Sequence, residues 1–455
     1  MTRQTIAGID RPRLDSFAAR EARRFAATRP KSKAALDAGA SAYLDGVPLH
    51  WMKDWPMPHL PLVATARGAR LTDIDGYVID DFCLGDTGSM FGHSPGPVVK
   101  AIKRQAARGL TCMLPTTDAL EAGRLLTDRF GPFRWQIATT ATDANRFALR
   151  VARAVTGRPK VLVFNGCYHG TVDETFVTLQ GGITVNRPGL LGQFADLTQT
   201  AVCCEFNDLA AVEAALAKGD VAAILTEPVM TNSCMVLPEP GFHSGLRDLA
   251  SRYGALLIID ETHTISSGPG GYTATHDLHP DIFVVGKCVA GGMPAAVWGL
   301  NETTAARYLH LNADRPPGHS GMGTTLSANP MQFACLRATL AEVMTAKNYA
   351  RMDKRAERLA SGLAAVITAH AAPWHVLRVG ARVEFICAPG PLLNGAEAAK
   401  AHQPQVEAAL HVALLNRGCL IAPFHNMMLI SPATSKRQVD RLITAFDEIL
   451  TELFA

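Results

Sequence analysis

Two apolar runs, Ala255-Leu-Leu-Ile-Ile and Ile282-Phe-Val-Val, run straight into reactive groups: the first into Asp260-Glu261, the second into Gly286-Lys287. Short continuous apolar runs without polar alternation are the pattern of strands covered on both faces, as in a mostly parallel sheet held between helices. In such sheets ligands sit beyond the carboxyl ends of the strands. A carboxylate and an amine are therefore aimed at one place.

An amine that leaves a dry strand for the glycine-rich turn Ala290-Gly291-Gly292-Met293-Pro294 is partly desolvated. Desolvation lowers its pKa and makes it a nucleophile toward carbonyls, which is Schiff-base chemistry. A strand-end acid beside it suits a protonated pyridine nitrogen, and that combination marks pyridoxal phosphate sites. An ordinary ion pair between Asp260 and Lys287 at a sheet edge is the competing reading, since ion-pair networks also perturb pKa values.

A chain of 455 residues, 48% hydrophobic and 19% charged, can bury a large core and is expected to form two or three structural units. The net charge of +3 is scattered, without the long like-charge runs of nucleic-acid-binding tails. Met1-Thr-Arg-Gln-Thr is not followed by an apolar stretch, and no uninterrupted apolar segment reaches membrane-spanning length. The ten cysteines show no C-x-x-C pair and no zinc-type spacing with histidine, so a reducing cytoplasm is expected.

Along the chain, a charged, alanine-rich helix around Phe17 leads to Trp51-Met-Lys-Asp-Trp-Pro-Met-Pro, whose prolines exclude a helix interior. Arg70 to Phe82 alternates as a hairpin with Asp75-Gly76 at its turn. From Pro97 to about Met331 strands alternate with helices, as in Val161-Leu-Val-Phe and Val221-Ala-Ala-Ile-Leu. After Pro330 come long helices and a short strand set, Val376 to Cys387 and Cys419 to Ser431. A last helix starts at Ser435, with Gln438 as its capping-box partner. The expected division is 1–96 as an N-terminal segment of the small domain and substrate pocket, 97–331 as the large cofactor-binding domain, and 332–455 as a C-terminal α+β domain.

Further pieces surround Asp260 and Lys287. Thr139-Thr-Ala-Thr-Asp143 joins the strand Trp135-Gln-Ile-Ala to a helix from Ala144 to Ala154, and the amides of a helix N-terminus bind phosphate. Tyr168-His169-Gly170 follows the strand from Val161, Glu227-Pro228 ends the strand from Val221, and Thr324-Thr-Leu-Ser-Ala-Asn-Pro330 is a hydroxyl-rich turn before a helix.

In this order the pieces resemble class III (ω-type) aminotransferases, especially the glutamate-1-semialdehyde aminomutase-like branch, from about Arg70 to the C-terminus. The family's N-S-G-T-E-A becomes Thr139-Thr140-Ala141-Thr142-Asp143-Ala144, and its G-x-Y-H-G is intact as Gly166-Cys-Tyr168-His169-Gly170. Its E-P-V-x-x-N is Glu227-Pro-Val-Met-Thr-Asn232, its D-E-V is Asp260-Glu261-Thr262, its G-K is Gly286-Lys287, and its G-T-L-S-G-N-P is close to Thr324-Thr325-Leu-Ser-Ala-Asn-Pro330. The resemblance implies pyridoxal phosphate fold type I, an α/β large domain with a mostly parallel sheet plus a smaller α+β domain built from both chain ends.

It also implies roles. Lys287 is the Schiff-base lysine, Asp260 pairs with the ring nitrogen, Thr140, Ala141 and Thr142 cradle the phosphate, and Tyr168 and Thr262 flank the ring. His169 and Glu227 are also expected among the cofactor-binding residues, and Thr325 reaches the phosphate from a partner subunit, so a homodimer is expected. Substrate contacts are expected from Trp51, Lys53, Met90, His263 and His425, with no metal. The partners are a small amine or amino acid and an oxo acid.

The chain also departs from the family pattern. The loop D-E-V-x-T-G-F-R reads Asp260-Glu-Thr-His-Thr-Ile-Ser-Ser267, without the arginine. The branch's F-E near the C-terminus is Phe424-His425, and the N-terminal arginine of P-G-G-V-N-S-P-V-R is missing, with Lys53 in that region as a candidate substitute. These losses argue for an aminotransferase acting on an apolar, β- or ω-amino substrate, with an aminomutase or racemase as the alternative and a non-catalytic fold relative as a lesser one. Two unrelated motifs fail on chemistry. In Gly92-His-Ser94-Pro-Gly96 the residue after the serine is Pro95, which lacks the N–H an oxyanion hole needs. A P-loop at Gly286-Lys287 would need Ser or Thr where Cys288 stands.

Overall fold

The computed structural model describes residues 5–39, 42–316, 318, 320–423 and 425–455. Seven strands build its main sheet: β1 (Arg134–Ala138), β2 (Lys160–Phe164), β3 (Ala201–Cys204), β4 (Val221–Thr226), β5 (Leu256–Asp260), β6 (Ile282–Val285) and β7 (Ala296–Leu300). In space they run β3-β2-β4-β5-β6-β7-β1. β7 lies antiparallel to both its neighbours and all other pairs are parallel. The expected mostly parallel sheet is thus present.

Every residue of β4, β5, β6 and β7 is buried, which explains why these strands read as unbroken apolar runs. Each Ile, Leu or Val side chain taken fully out of water contributes about 1.5–3 kcal/mol. One covering element is the helix Ala141–Thr156, whose Ala144, Phe147, Ala148, Val151, Ala152 and Val155 share a core with Val161, Leu225, Ile258 and Val284. The pairing of β5 with β6 sets Asp260 opposite Val284. Lys287 follows three residues later, so both groups leave the sheet at the same edge.

The chain forms two compact units. One comprises residues 96–346 and 392–400; the other comprises 1–95, 347–391 and 401–455. The second boundary therefore falls later than the expected 331. The helix Pro330–Ala338 stays with the sheet unit because its Gln332 side chain donates to the Pro294 carbonyl at 3.0 Å and its Arg337 pairs with Asp118 at 2.8 Å. The return of 392–400 was not expected. Asn207 donates to the Leu393 carbonyl at 2.8 Å, and a Cβ on Gly395 would lie 1.9 Å from the Asn165 carbonyl oxygen, so only glycine permits that approach.

The second unit holds a four-stranded sheet, in the order Cys419–Leu420, Val78–Asp81, Arg70–Asp73, Val63–Arg67, and a three-stranded sheet of His375–Val379, Arg382–Ile386 and Met427–Leu429. The hairpin at Asp75-Gly76 is there, with Gly76 at φ +93°, a conformation that favours glycine. Trp51 lies in a single 3-10 turn, His50–Asp54, in keeping with its prolines. Ser94 sits in a bend before the helix Gly96–Ala106. Among the described residues, no helix is long and apolar enough to cross a membrane.

Candidate active site

Asp260 ends β5 almost fully buried. Its Oδ2 accepts from Asn145 Nδ2 at 2.8 Å and faces His169 Nδ1 at 3.0 Å, and its Oδ1 accepts from the Thr262 amide at 3.1 Å. Burial alone would raise its pKa, but the hydrogen bond and charge of His169, with Thr262 and Asn145, outweigh burial and hold it at about 2. Burial likewise pulls His169 down, while Asp260 and Cys167 prevail and push it up to about 10. The pair is a buried carboxylate and imidazolium, fixed in place by Asn145, which also donates to the His169 carbonyl at 3.1 Å.

Asn145 was missed by sequence reasoning. Its signal was present: an amide in the second turn of a helix whose neighbours Ala144, Phe147 and Ala148 are all core residues. A polar side chain on such a face needs a partner.

Lys287 opens the turn after β6 with φ +50°, the left-handed region that a β-carbon disfavours. Its Nζ lies 2.8 Å from His263 Nε2. The amide of the preceding Gly286 donates to Thr262 Oγ1 at 3.2 Å, which ties the turns after β5 and β6 together. A Cβ on Gly286 would stand 2.8 Å from that of Ala141, so the helix start and this turn are in contact.

Thr140 caps the helix Ala141–Thr156, its hydroxyl accepting from the Asp143 amide at 3.1 Å. Thr142 accepts from the Thr171 amide at 3.1 Å, and a Cβ on Gly170, at φ +81°, would fall 2.1 Å from Thr142 Oγ1. The loop Thr140–Thr142 is therefore braced from two sides by glycines. Tyr168 is exposed, just before His169. Thr139 Oγ1 and Ser327 Oγ are 3.1 Å apart, which brings the turn Thr324–Ser327 to the same helix start; Thr325 in that turn is exposed.

Two carboxylates have structural partners. Glu261, next to Asp260, is fully buried, accepts from Thr264 Oγ1 at 2.6 Å and the Tyr272 amide at 3.1 Å, and also bonds the Thr273 amide. Glu227 accepts from the Thr231 amide and hydroxyl through Oε2, its Oε1 has no partner among the described residues, and burial raises its pKa.

The remaining expected substrate residues belong to the other unit. Lys53 is exposed and paired with Asp45 at 3.0 Å, Met90 is wholly buried, Trp51 is half-buried, and His425 Nδ1 lies 3.3 Å from Glu384. Phe424, half of the altered F-E pair, lies outside the described residues.

What the sheet edge assembles is an ionised buried carboxylate backed by an imidazolium, an amine on a strained turn, and a capped helix start with open amides. The model of the family described as aminotransferase class-III matches residues 52–450. A glutamate-1-semialdehyde 2,1-aminomutase of Sorangium cellulosum is 33% identical over 429 residues, 92% of this chain and 96% of that protein. The crystal structure of a glutamate-1-semialdehyde-aminomutase from Pseudomonas aeruginosa PAO1 is 49% identical, with a TM-score of 0.96 over 98% of this chain and 100% of that one. A lysine-to-alanine variant of that protein was solved in complex with PMP at the same identity and TM-score. This chain therefore belongs to the class III aminotransferases and has the fold type I architecture of these pyridoxal-phosphate-dependent enzymes.

Proposed function

We propose that this chain is a pyridoxal-phosphate-dependent aminomutase of the glutamate-1-semialdehyde type, moving an amino group between adjacent carbons of one substrate. The expectation of transfer between two molecules gives way to the alternative because the near-full-length relatives bear aminomutase names. The observation that carries the chemistry is the Asp260–His169–Asn145 cluster at the strand end adjoining Lys287.

The residues fit pyridoxal phosphate. A buried carboxylate held ionised suits a protonated ring nitrogen, and the capped start at Thr140, Ala141 and Thr142, kept open by Gly170 and Gly286, suits a phosphate. When bound, the cofactor supplies an aldehyde that joins an amine and a ring that draws electrons from the carbon beside it. Asp260 holds the proton on the ring nitrogen, and His169 keeps Asp260 ionised. Lys287 would take a proton from the carbon that gives up the nitrogen and supply one to the carbon that receives it. Tyr168 and Thr262 flank the ring, Glu227 backs His169, and Thr325 acts from a partner subunit in a homodimer.

Exposed Leu110, Met113 and Leu114, at 55%, 80% and 70%, support such an association. The second reading, an aminotransferase that passes the amine to an oxo acid, is supported by the loss of the loop arginine and of the F-E acid.

Glutamate-1-semialdehyde given alone to the pyridoxamine-phosphate-loaded protein separates the two. Repeated turnover to the isomer with amine on C1 and oxo group on C2, without an oxo acid, is the expected result. Consumption of one equivalent that leaves the cofactor in its pyridoxal form, and that resumes only when an amino donor is added, would replace it with the aminotransferase. Lys287→Ala is expected to lower the rate by at least about 10²–10⁴-fold, the worth of a positioned acid–base group.

A further inference from the structure

His263 is buried, at 4% exposure, and its Nε2 lies 2.8 Å from the amine of Lys287. The family pattern D-E-V-x leaves this fourth place open, and here it holds an imidazole. Both ends of the contact are fixed. Lys287 stands on a turn with φ +50°, and His263 lies on the turn after β5, which Glu261 anchors through Thr264 and the amides of Tyr272 and Thr273.

Charged groups flank it on both turns. Asp260 and Glu261 share its turn, the first engaged by His169 and Asn145 and the second by the anchor just described, and Lys287 faces it from the turn after β6. Imidazole suits the task, because its nitrogen accepts from an ammonium and, once protonated, donates to a free amine.

We propose that His263 is a further catalytic residue, taking the proton that Lys287 must shed before its amine can act as a base and handing it back. One N–H bond breaks at Nζ and one forms at Nε2. Ammonium plus neutral imidazole become amine plus imidazolium, so the charge of the pair is unchanged. The inference rests on the proposed function in taking Lys287 as the reactive amine.

The test compares full-length pyridoxal-phosphate-loaded wild type, His263→Leu and His263→Gln. The first readout, independent of turnover, is the pH midpoint of the cofactor's visible band. The second is the single-turnover rate with an amino substrate, with and without added imidazole. The expected results for His263→Leu are a midpoint moved by about one unit or more and a rate lowered at least about tenfold, with imidazole restoring part of it. His263→Gln, which can hydrogen-bond but not carry a proton at neutral pH, stays slow, and it provides the same comparison if the leucine variant does not fold. A wild-type midpoint and rate in the variants would overturn the role of His263 alone. A wild type that shows no visible cofactor band at any pH would overturn the functional reading and this inference with it.

Discussion

Asp260 stays ionised in a dry site because His169 and Asn145 compensate for lost water, and that compensation has a pH signature. His169, raised from 6.5 to about 10, contributes its full stabilisation below pH 6.5 and loses it as pH climbs through about 10. Asp260, lowered from 3.8 to about 2, contributes above pH 3.8 and loses it as pH falls through about 2. Both contributions are complete between those two ordinary values. His169→Phe is therefore expected to flatten the pH dependence of the urea midpoint between about pH 6 and pH 10, where the wild type declines; equal slopes would count against the pairing. A second expectation concerns Gly170. Gly170→Ala puts a methyl group onto Thr142 and strains a backbone at φ +81°, so equilibrium dialysis should show pyridoxal phosphate held at least about tenfold more weakly, roughly the 1.4 kcal/mol of one disturbed phosphate contact, with the circular dichroism of the wild type retained.

Elements were legible where their signals are local. Asp75-Gly76 marked the hairpin by turn chemistry, and Ser435 with Gln438 marked the last helix, Lys436–Phe454, where both capping-box bonds are made. Ser435→Ala is expected to cost about 1 kcal/mol, read as a lower urea midpoint at unchanged slope. The apolar runs of β5 and β6 were legible because burial on both faces removes polar alternation, and they carried Asp260 and Lys287 with them. Asn145 was not read, since its core neighbours say only that the amide needs a partner, and that partner is 115 residues away. Glu261 was aimed at the site together with Asp260, yet its oxygens bond the following turns, a use that only the path of residues 264–273 reveals. The return of residues 392–400 was hidden for the same reason: a short helical stretch placed by contacts with Asn207 and Asn165 looks in sequence like any other.

At the scale of the molecule, the family was legible from ordered motifs, whereas the reaction was not. Lys287 and Asp260 serve an aminomutase and an aminotransferase alike, and the differences lie in residues whose loss is easier to see than their replacement. The proposed homodimer predicts sedimentation at twice the chain mass of 48.7 kDa, with Met113→Asp shifting the protein toward the monomer. Finally, the second unit is assembled from three separated stretches, 1–95, 347–391 and 401–455. During synthesis the helix Arg11–Thr28 leaves the ribosome long before Pro404–Asn416, whose Asn416 bonds Glu21 at 2.8 Å. At about 5–20 residues per second the interval is roughly 20–80 s. Leu14, Phe17 and Phe25, all buried in the finished protein, spend that time without their final cover, which makes the first helix the natural place for a chaperone to hold the nascent chain.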